Sequence, residues 1–238
     1  MIALSVIVPA WNEQDRIGPT VNALCRVLAA SGKTWELLIV DDGSTDDTVA
    51  RCRAMAARSS GIRVIATAPN RGKGHAVRVG MTLAQGSIRV MCDADGSMAA
   101  SGLLALTEPI ERGGAAVVIG SRHVPGGAAH ARPLWRRAWS RLAHAVVQHH
   151  LVPGVADIHS GYKAFSAEAA QVLFGLATLD GWAFDLEVLA LAKRLDFEIL
   201  EVGIEWTDDR RSRVQPWRDF FTVVRETAAL SWSLAHAR

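Results

Sequence analysis

Short apolar runs that each end in a polar turn, with helix-length segments between them, constrain this chain more than any other feature. Residues 3–9 (ALSVIVP) form a continuous apolar stretch of the kind buried on both faces of a parallel sheet. Residues 37–40 form a second run, ending in Asp41-Asp42-Gly43-Ser44, and residues 63–66 form a third. Residues 88–92 end in Asp93-Ala94-Asp95-Gly96, and residues 116–120 make a fifth run. Between the first two, Ile17, Val21, Leu24 and Leu28 recur at helical spacing. Strands separated by helices predict βαβ units and an α/β fold, with a mostly parallel, doubly wound sheet flanked by helices. The 238 residues carry no internal repeat and no low-complexity linker, so one domain over residues 1–238 is expected.

After Gly127 the character changes. Residues 133–149 place Trp135, Ala138, Trp139, Leu142, Ala145 and Val146 on one helical stripe. Residues 183–195 predict a further helix, and residues 197–206 a late strand. Residues 217–235 align Phe220, Phe221, Val224, Ala228 and Trp232 along one face. The net charge of only +2 excludes a strongly basic nucleic-acid coat protein. The average hides a local excess, because residues 112–156 contain six arginines and neither Asp nor Glu. Such a segment calls for an anionic partner. Cys25, Cys52 and Cys92 lie far apart, which fits buried thiols in a reducing compartment rather than a disulfide frame. No basic leader precedes the first strand, and no apolar stretch reaches about 18 residues, so neither a signal peptide nor a spanning helix is expected. A cytoplasmic protein is the expectation.

Doubly wound sheets bind ligands outside the carboxyl ends of their strands. The acidic residues collect there: Glu13, then Asp41 and Asp42, then Asp93 and Asp95. Carboxylates on one rim repel unless a cation lies between them. Asp93 and Asp95 flank one residue, so both can reach one hard cation, and Mg²⁺ takes one or two carboxylates together with substrate phosphates. Other signals carry less. Gly72-Lys73-Gly74 is neither a Walker loop nor a dinucleotide fingerprint. His144, His149 and His150 do not share a helix face, and Cys92 fits core packing better than nucleophilic catalysis.

In order along the chain stand Val8-Pro9-Ala10-Trp11-Asn12-Glu13, Val40-Asp41-Asp42-Gly43-Ser44-Thr45-Asp46-Asp47-Thr48, Asn70-Arg71-Gly72-Lys73-Gly74 and Asp93-Ala94-Asp95-Gly96. This set resembles family 2 glycosyltransferases of the GT-A fold. Gly120-Ser121-Arg122, then Asp157 with Gly161-Tyr162-Lys163, then Gly181-Trp182-Ala183-Phe184-Asp185 with Glu187 resemble the polyprenyl-phosphate branch of that family. Within the branch they are most similar to dolichyl-phosphate β-glucosyltransferases, and the likeness runs from about residue 4 to residue 213.

The resemblance implies a metal-dependent, inverting transfer of a hexose to a polyprenyl phosphate, with glucose from UDP-glucose favoured. It assigns residues 1–122 to nucleotide-sugar binding and residues 123–238 to the acceptor. Pro9, Ala10, Trp11, Glu13, Asp41, Asp42, Lys73, Asp93 and Ala94 are the implied donor-binding residues. Asp93 and Asp95 are the implied ligands of Mg²⁺ or Mn²⁺, and Ser97 stands where mannosyl-type relatives carry a glutamine. Arg122, Arg136, Ser140, Lys163 and Arg213 are the implied acceptor-phosphate residues, while Asp185 and Glu187 are implied ligands of sugar hydroxyls. The implied catalytic set is Asp93, Asp95, Arg122, Asp185 and Glu187.

A phosphate monoester is largely ionised at neutral pH and needs positioning rather than a base. Arginines supply that positioning by bidentate contact. A hydroxyl acceptor would instead need a carboxylate base, for which Asp157, Asp185 or Glu187 are available. GDP-mannose as donor and a soluble hydroxyl acceptor therefore stand as alternatives. Tryptophan and arginine on the two amphipathic segments suit a lipid headgroup layer, so a peripheral position on the cytoplasmic face of the membrane is expected. Nucleic-acid binding is not expected.

Overall fold

The first apolar run becomes β1 (Leu4–Ala10), and all seven of its residues are buried. Successive side chains alternate between two layers. Val6 and Val8 pack with α1 (Ile17–Ala30) and α4 (Leu103–Glu111), whereas Ile7 faces α3 (Lys73–Leu83), α5 (Ala167–Leu176) and α6 (Phe184–Arg194). The computed structural model describes residues 1–129 and 152–206.

Seven strands form the main sheet. They are β1, β2 (Trp35–Asp42), β3 (Ile62–Thr67), β4 (Ile88–Met91), β5 (Val117–Ser121), β7 (Lys163–Ser166) and β8 (Ile199–Gly203), in the order β3-β2-β1-β4-β7-β5-β8. β1 pairs in parallel with β2 from Leu4–Trp35 to Ala10–Asp41, and on its other side with β4. A second, two-stranded sheet joins β6 (Ala128–Ala129) to β9 (Glu205–Trp206). α2 (Thr48–Ala56) follows β2 and buries Cys52.

The expected parallel arrangement holds with one reversal. β7 runs antiparallel to both β4 and β5, which leaves those two parallel to each other. The sequence gives no apolar run for β7, because the strand opens on Lys163. That lysine is buried only because a carboxylate elsewhere meets it. Nor does the expected strand over residues 197–206 remain continuous, since β8 ends at Gly203 and β9 joins the small sheet. The parallel strands therefore present their carboxyl ends at one edge, joined there by the start of β7. α3 can lie close against β1 and β2 because Gly80 has no side chain to meet Ile7 and Val40. Among the described residues no helix is long and apolar enough to cross a membrane.

Candidate active site

The loops after β1 and β2 are built as one unit. Ser44 Oγ accepts from the Asn12 amide at 2.8 Å, and Asn12 Oδ1 accepts from the Thr45 amide at 2.8 Å. Thr48 Oγ1 accepts from the Glu13 amide at 2.8 Å. Asn12 takes a left-handed backbone, φ 54°, which asparagine tolerates better than most residues. Pro9 and Ala10 are buried behind this ledge, while Trp11 leaves 48% of its surface exposed just past the strand end. Glu13 is paired with Arg16 at 2.6 Å.

Asp41 and Asp42 are buried and shape the rim from within. Asp41 Oδ2 accepts from the Gly43 and Ser44 amides at 3.1 and 2.9 Å. Asp42 Oδ2 accepts from Asn70 Nδ2 and the Arg71 amide, both at 2.9 Å, and from the Gly72 amide at 2.6 Å. Its Oδ1 lies 2.9 Å from His75 Nδ1. These carboxylates hold turns together, so the ligand-facing surface they support is backbone and neighbouring side chains.

Lys73, the first residue of α3, crosses to the acidic turn after β4, and its Nζ stands 2.6 Å from Asp93 Oδ1. Asp93 Oδ1 is buried, and the Lys73 ammonium is the partner that meets it. On the opposite side Gly161 packs against the Asp93 carboxylate, leaving no room there for even a Cβ. Burial pulls the Lys73 ammonium toward its neutral form, but Asp93, Asp185 and Asp95 more than reverse this and raise its pKa. The Trp182 ring lies 5.6 Å from the same ammonium. Asp95 Oδ1 accepts from the Ser97 amide at 2.9 Å, and the carbonyl of buried Ala94 accepts from Thr20 Oγ1 at 2.8 Å.

Arg122 follows β5 and grips Asp157 through two bonds of 2.7 Å, from Nε and from Nη2. Burial pushes the Asp157 carboxyl up, yet the Arg122 guanidinium outweighs it and holds the group below the usual carboxylate range. Trp206 lies against the guanidinium, 5.3 Å from ring centroid to Cζ. Glu201 on β8 accepts from the Ala156 and Asp157 amides at 2.7 and 3.0 Å, which fixes the segment that presents Asp157. Arg122 is also within the electrostatic reach of Asp93, so the acidic and basic parts of the site adjoin.

Three residues of the expected site, Lys163, Asp185 and Glu187, are buried and held by partners within the chain. Lys163 Nζ is buried, 2.5 Å from Asp185 Oδ1 and 2.7 Å from the Ser160 carbonyl. Burial lowers the Lys163 pKa while Asp185 opposes the shift. Glu187 is buried too, and its carboxylate accepts from the Thr178 and Leu179 amides and from Thr178 Oγ1. Asp185 and Glu187 accept from donors of the chain itself, and Lys163 pairs with Asp185. Arg136, Ser140, Arg213 and the two amphipathic segments lie outside the described residues. Glu201 and Asp180 are site residues the sequence reading passed over. An acid inside the strand ILEVG was the signal for Glu201, while Asp180 sits in a turn with no pattern around it.

Residues 5–174 match the model of the family described as glycosyl transferase family 2. The chain is 32% identical over 237 residues to a dolichyl-phosphate beta-glucosyltransferase of Dictyostelium discoideum, covering 94% of this chain and 72% of that protein. It is also 32% identical over 231 residues to the dolichyl-phosphate beta-glucosyltransferase of Homo sapiens, covering 90% and 70%. Among solved structures, glucosyl-3-phosphoglycerate synthase from Mycobacterium tuberculosis, in complex with Mn²⁺, UDP-glucose and phosphoglyceric acid, matches with a TM-score of 0.72 at 25% identity. That match covers 98% of this chain and 79% of the other. A family model that spans well over half of the sequence, on a mixed sheet of the GT-A type, leads to one conclusion: the chain belongs to glycosyl transferase family 2 and is a glycosyltransferase.

Proposed function

We propose that the protein transfers glucose from UDP-glucose, with inversion, to the phosphate of a polyprenyl phosphate. The observation that carries this reading is the engagement of the three carboxylates that the sequence offers as bases. Asp157 is held by Arg122, Asp185 by Lys163, and Glu187 by the Thr178–Leu179 backbone. A hydroxyl nucleophile needs a base to take its proton, whereas a phosphate oxygen is already anionic at neutral pH. The names of the relatives, dolichyl-phosphate beta-glucosyltransferases, support the same acceptor and sugar. UDP-glucose bound in the matching synthase supports the donor.

In this reading residues 1–122 hold the donor and residues 123–238 the acceptor. The ledge at Pro9, Ala10, Trp11 and Glu13, stiffened by Asp41 and Asp42, receives the nucleotide. The acceptor phosphate oxygen attacks the anomeric carbon, the bond from that carbon to the diphosphate oxygen breaks, and the electron pair leaves with UDP. Arg122, fixed by Asp157 and Trp206, orients the phosphate and offsets its repulsion by the donor, aided by Arg136, Ser140 and Arg213. Mg²⁺ or Mn²⁺ fits Asp93 and Asp95, because Asp93 Oδ1 is a buried hard oxygen whose partner is itself a cation, the Lys73 ammonium. When bound there, the cation would neutralise charge on the departing diphosphate. Residues 133–149 and 217–235 are the proposed contacts with the cytoplasmic membrane surface.

The test is release of nucleoside diphosphate, with UDP-glucose, Mg²⁺ and a short-chain polyprenyl phosphate. Release that requires both metal and lipid phosphate is expected. Turnover of GDP-mannose in place of UDP-glucose would overturn the donor assignment. Equal turnover of a water-soluble hydroxyl acceptor without a phosphate, such as glycerate, would overturn the acceptor assignment.

A further inference from the structure

We infer that Lys73 is a place-holding cation at Asp93, and that its displacement makes entry of the divalent metal depend on entry of the donor's diphosphate. The inference rests on the proposed reading of Asp93 and Asp95 as the metal-holding pair. Lys73 Nζ stands 2.6 Å from Asp93 Oδ1, the oxygen that otherwise has no hydrogen bond, so the ammonium fills the place of a cation there. A dication bound to that oxygen and an ammonium in contact with it would repel strongly in this poorly solvated setting. The metal must therefore move Lys73.

The displaced ammonium has few places to go. Its side chain is only 16% exposed and is backed by the Trp182 ring. Asp185 already holds Lys163 at 2.5 Å, and Asp95 is the second carboxylate of the proposed metal pair. Most of the backbone amides around it are also closed to a new anion, since those of Arg71 and Gly72 bind Asp42 and that of His75 binds the Asp180 carbonyl. A diphosphate arriving with the metal supplies the missing anion for Lys73. Metal alone thus binds against Lys73, and metal with a nucleoside diphosphate binds with its help, which is a positive coupling between the two ligands.

The test uses the full-length protein and the paramagnetic resonance signal of free Mn²⁺. Binding is titrated without nucleotide and again with saturating UDP, corrected for the Mn²⁺–UDP complex in solution. In the wild type, UDP is expected to tighten Mn²⁺ binding about tenfold. Lys73→Met is expected to bind Mn²⁺ alone several-fold more tightly than the wild type and to show a smaller UDP effect, the remainder being the direct attraction of diphosphate and metal. Lys73→Arg, which keeps the charge, should retain the full effect. Lys73→Gln gives a second neutral variant, and a thermal melt of each protein confirms folding. Unchanged Mn²⁺ affinity in both neutral variants, with the UDP effect intact, would overturn the inference while leaving the metal pair standing. Mn²⁺ binding as tight in Asp93→Asn as in the wild type would overturn the metal pair itself, and the inference with it.

Discussion

Asp185 and Lys163 carry opposite charges in a place water does not reach, and a single neutral substitution would leave the other charge exposed to that environment. Removing one member of a buried pair typically costs about 3 kcal/mol, whereas replacing both with apolar side chains is far less costly. Asp185→Asn is therefore expected to lower stability by about that amount in urea unfolding. Lys163→Met with Asp185→Leu should recover most of it. A second expectation follows from Asp157, whose carboxyl lies below its ordinary range because of Arg122. A depressed carboxyl contributes stability that is present above its unfolded pKa, about 3.9, and is lost as pH falls through the folded value. Acid unfolding of Asp157→Asn should accordingly be less steep below about pH 4 than that of the wild type. At this scale the sequence displays what lies at strand ends, such as Asp93, Asp95 and Arg122. It hides Glu201, and it hides the main-chain partners of Glu187, because both bind backbone N–H groups that residue spacing does not reveal.

Two elements distant in sequence, the turn over residues 70–75 and the loop over residues 178–183, form one wall of the site. Asp180 accepts from Arg71 at 2.7 Å and also from Arg78, and its carbonyl accepts from the His75 amide at 3.2 Å. The contact is close because two glycines make it. Gly72 has φ 121°, and a Cβ on Gly74 would stand 2.6 Å from the Leu179 carbonyl and 2.7 Å from Phe184 Cβ. Gly74→Ala must therefore push the loop away, at a cost of about 2 kcal/mol readable as a lower melting temperature. Since the loop carries Trp182 to Lys73, the same variant should raise the KM for the nucleotide sugar more than it lowers kcat. The motif containing Lys73 and the motif containing Trp182 are both visible in the sequence, but their apposition is not. It depends on α3 and α6 packing on the same face of the sheet as α5, and α5 follows the strand that the apolar pattern did not announce. β7 was illegible because its first residue is a buried lysine, and burial of a lysine is decided by a carboxylate more than twenty positions away.

Across the whole molecule, the sheet brings Asp93, Asp95 and Arg122 to one edge, and under the proposed function this sets which partner must bring the nucleophile's charge. If the acceptor is a phosphate monoester, the reactive species is its dianion, formed with a second pKa of about 6. The kcat/KM for the acceptor should then fall about tenfold per pH unit below that value, through the acceptor rather than through an enzyme base. A phosphonate analogue with a higher second pKa should carry the acid limb upward with it. Glu187→Gln and Asp157→Asn should change the height of the profile and leave the position of that limb alone, because their carboxylates hold Thr178–Leu179 and Arg122. An acid limb that stays fixed when the acceptor's pKa changes, and disappears in one of those variants, would instead assign the proton to that carboxylate. The paired geometry at Arg122 predicts the first result, since a carboxylate held by a bidentate guanidinium is a weak base.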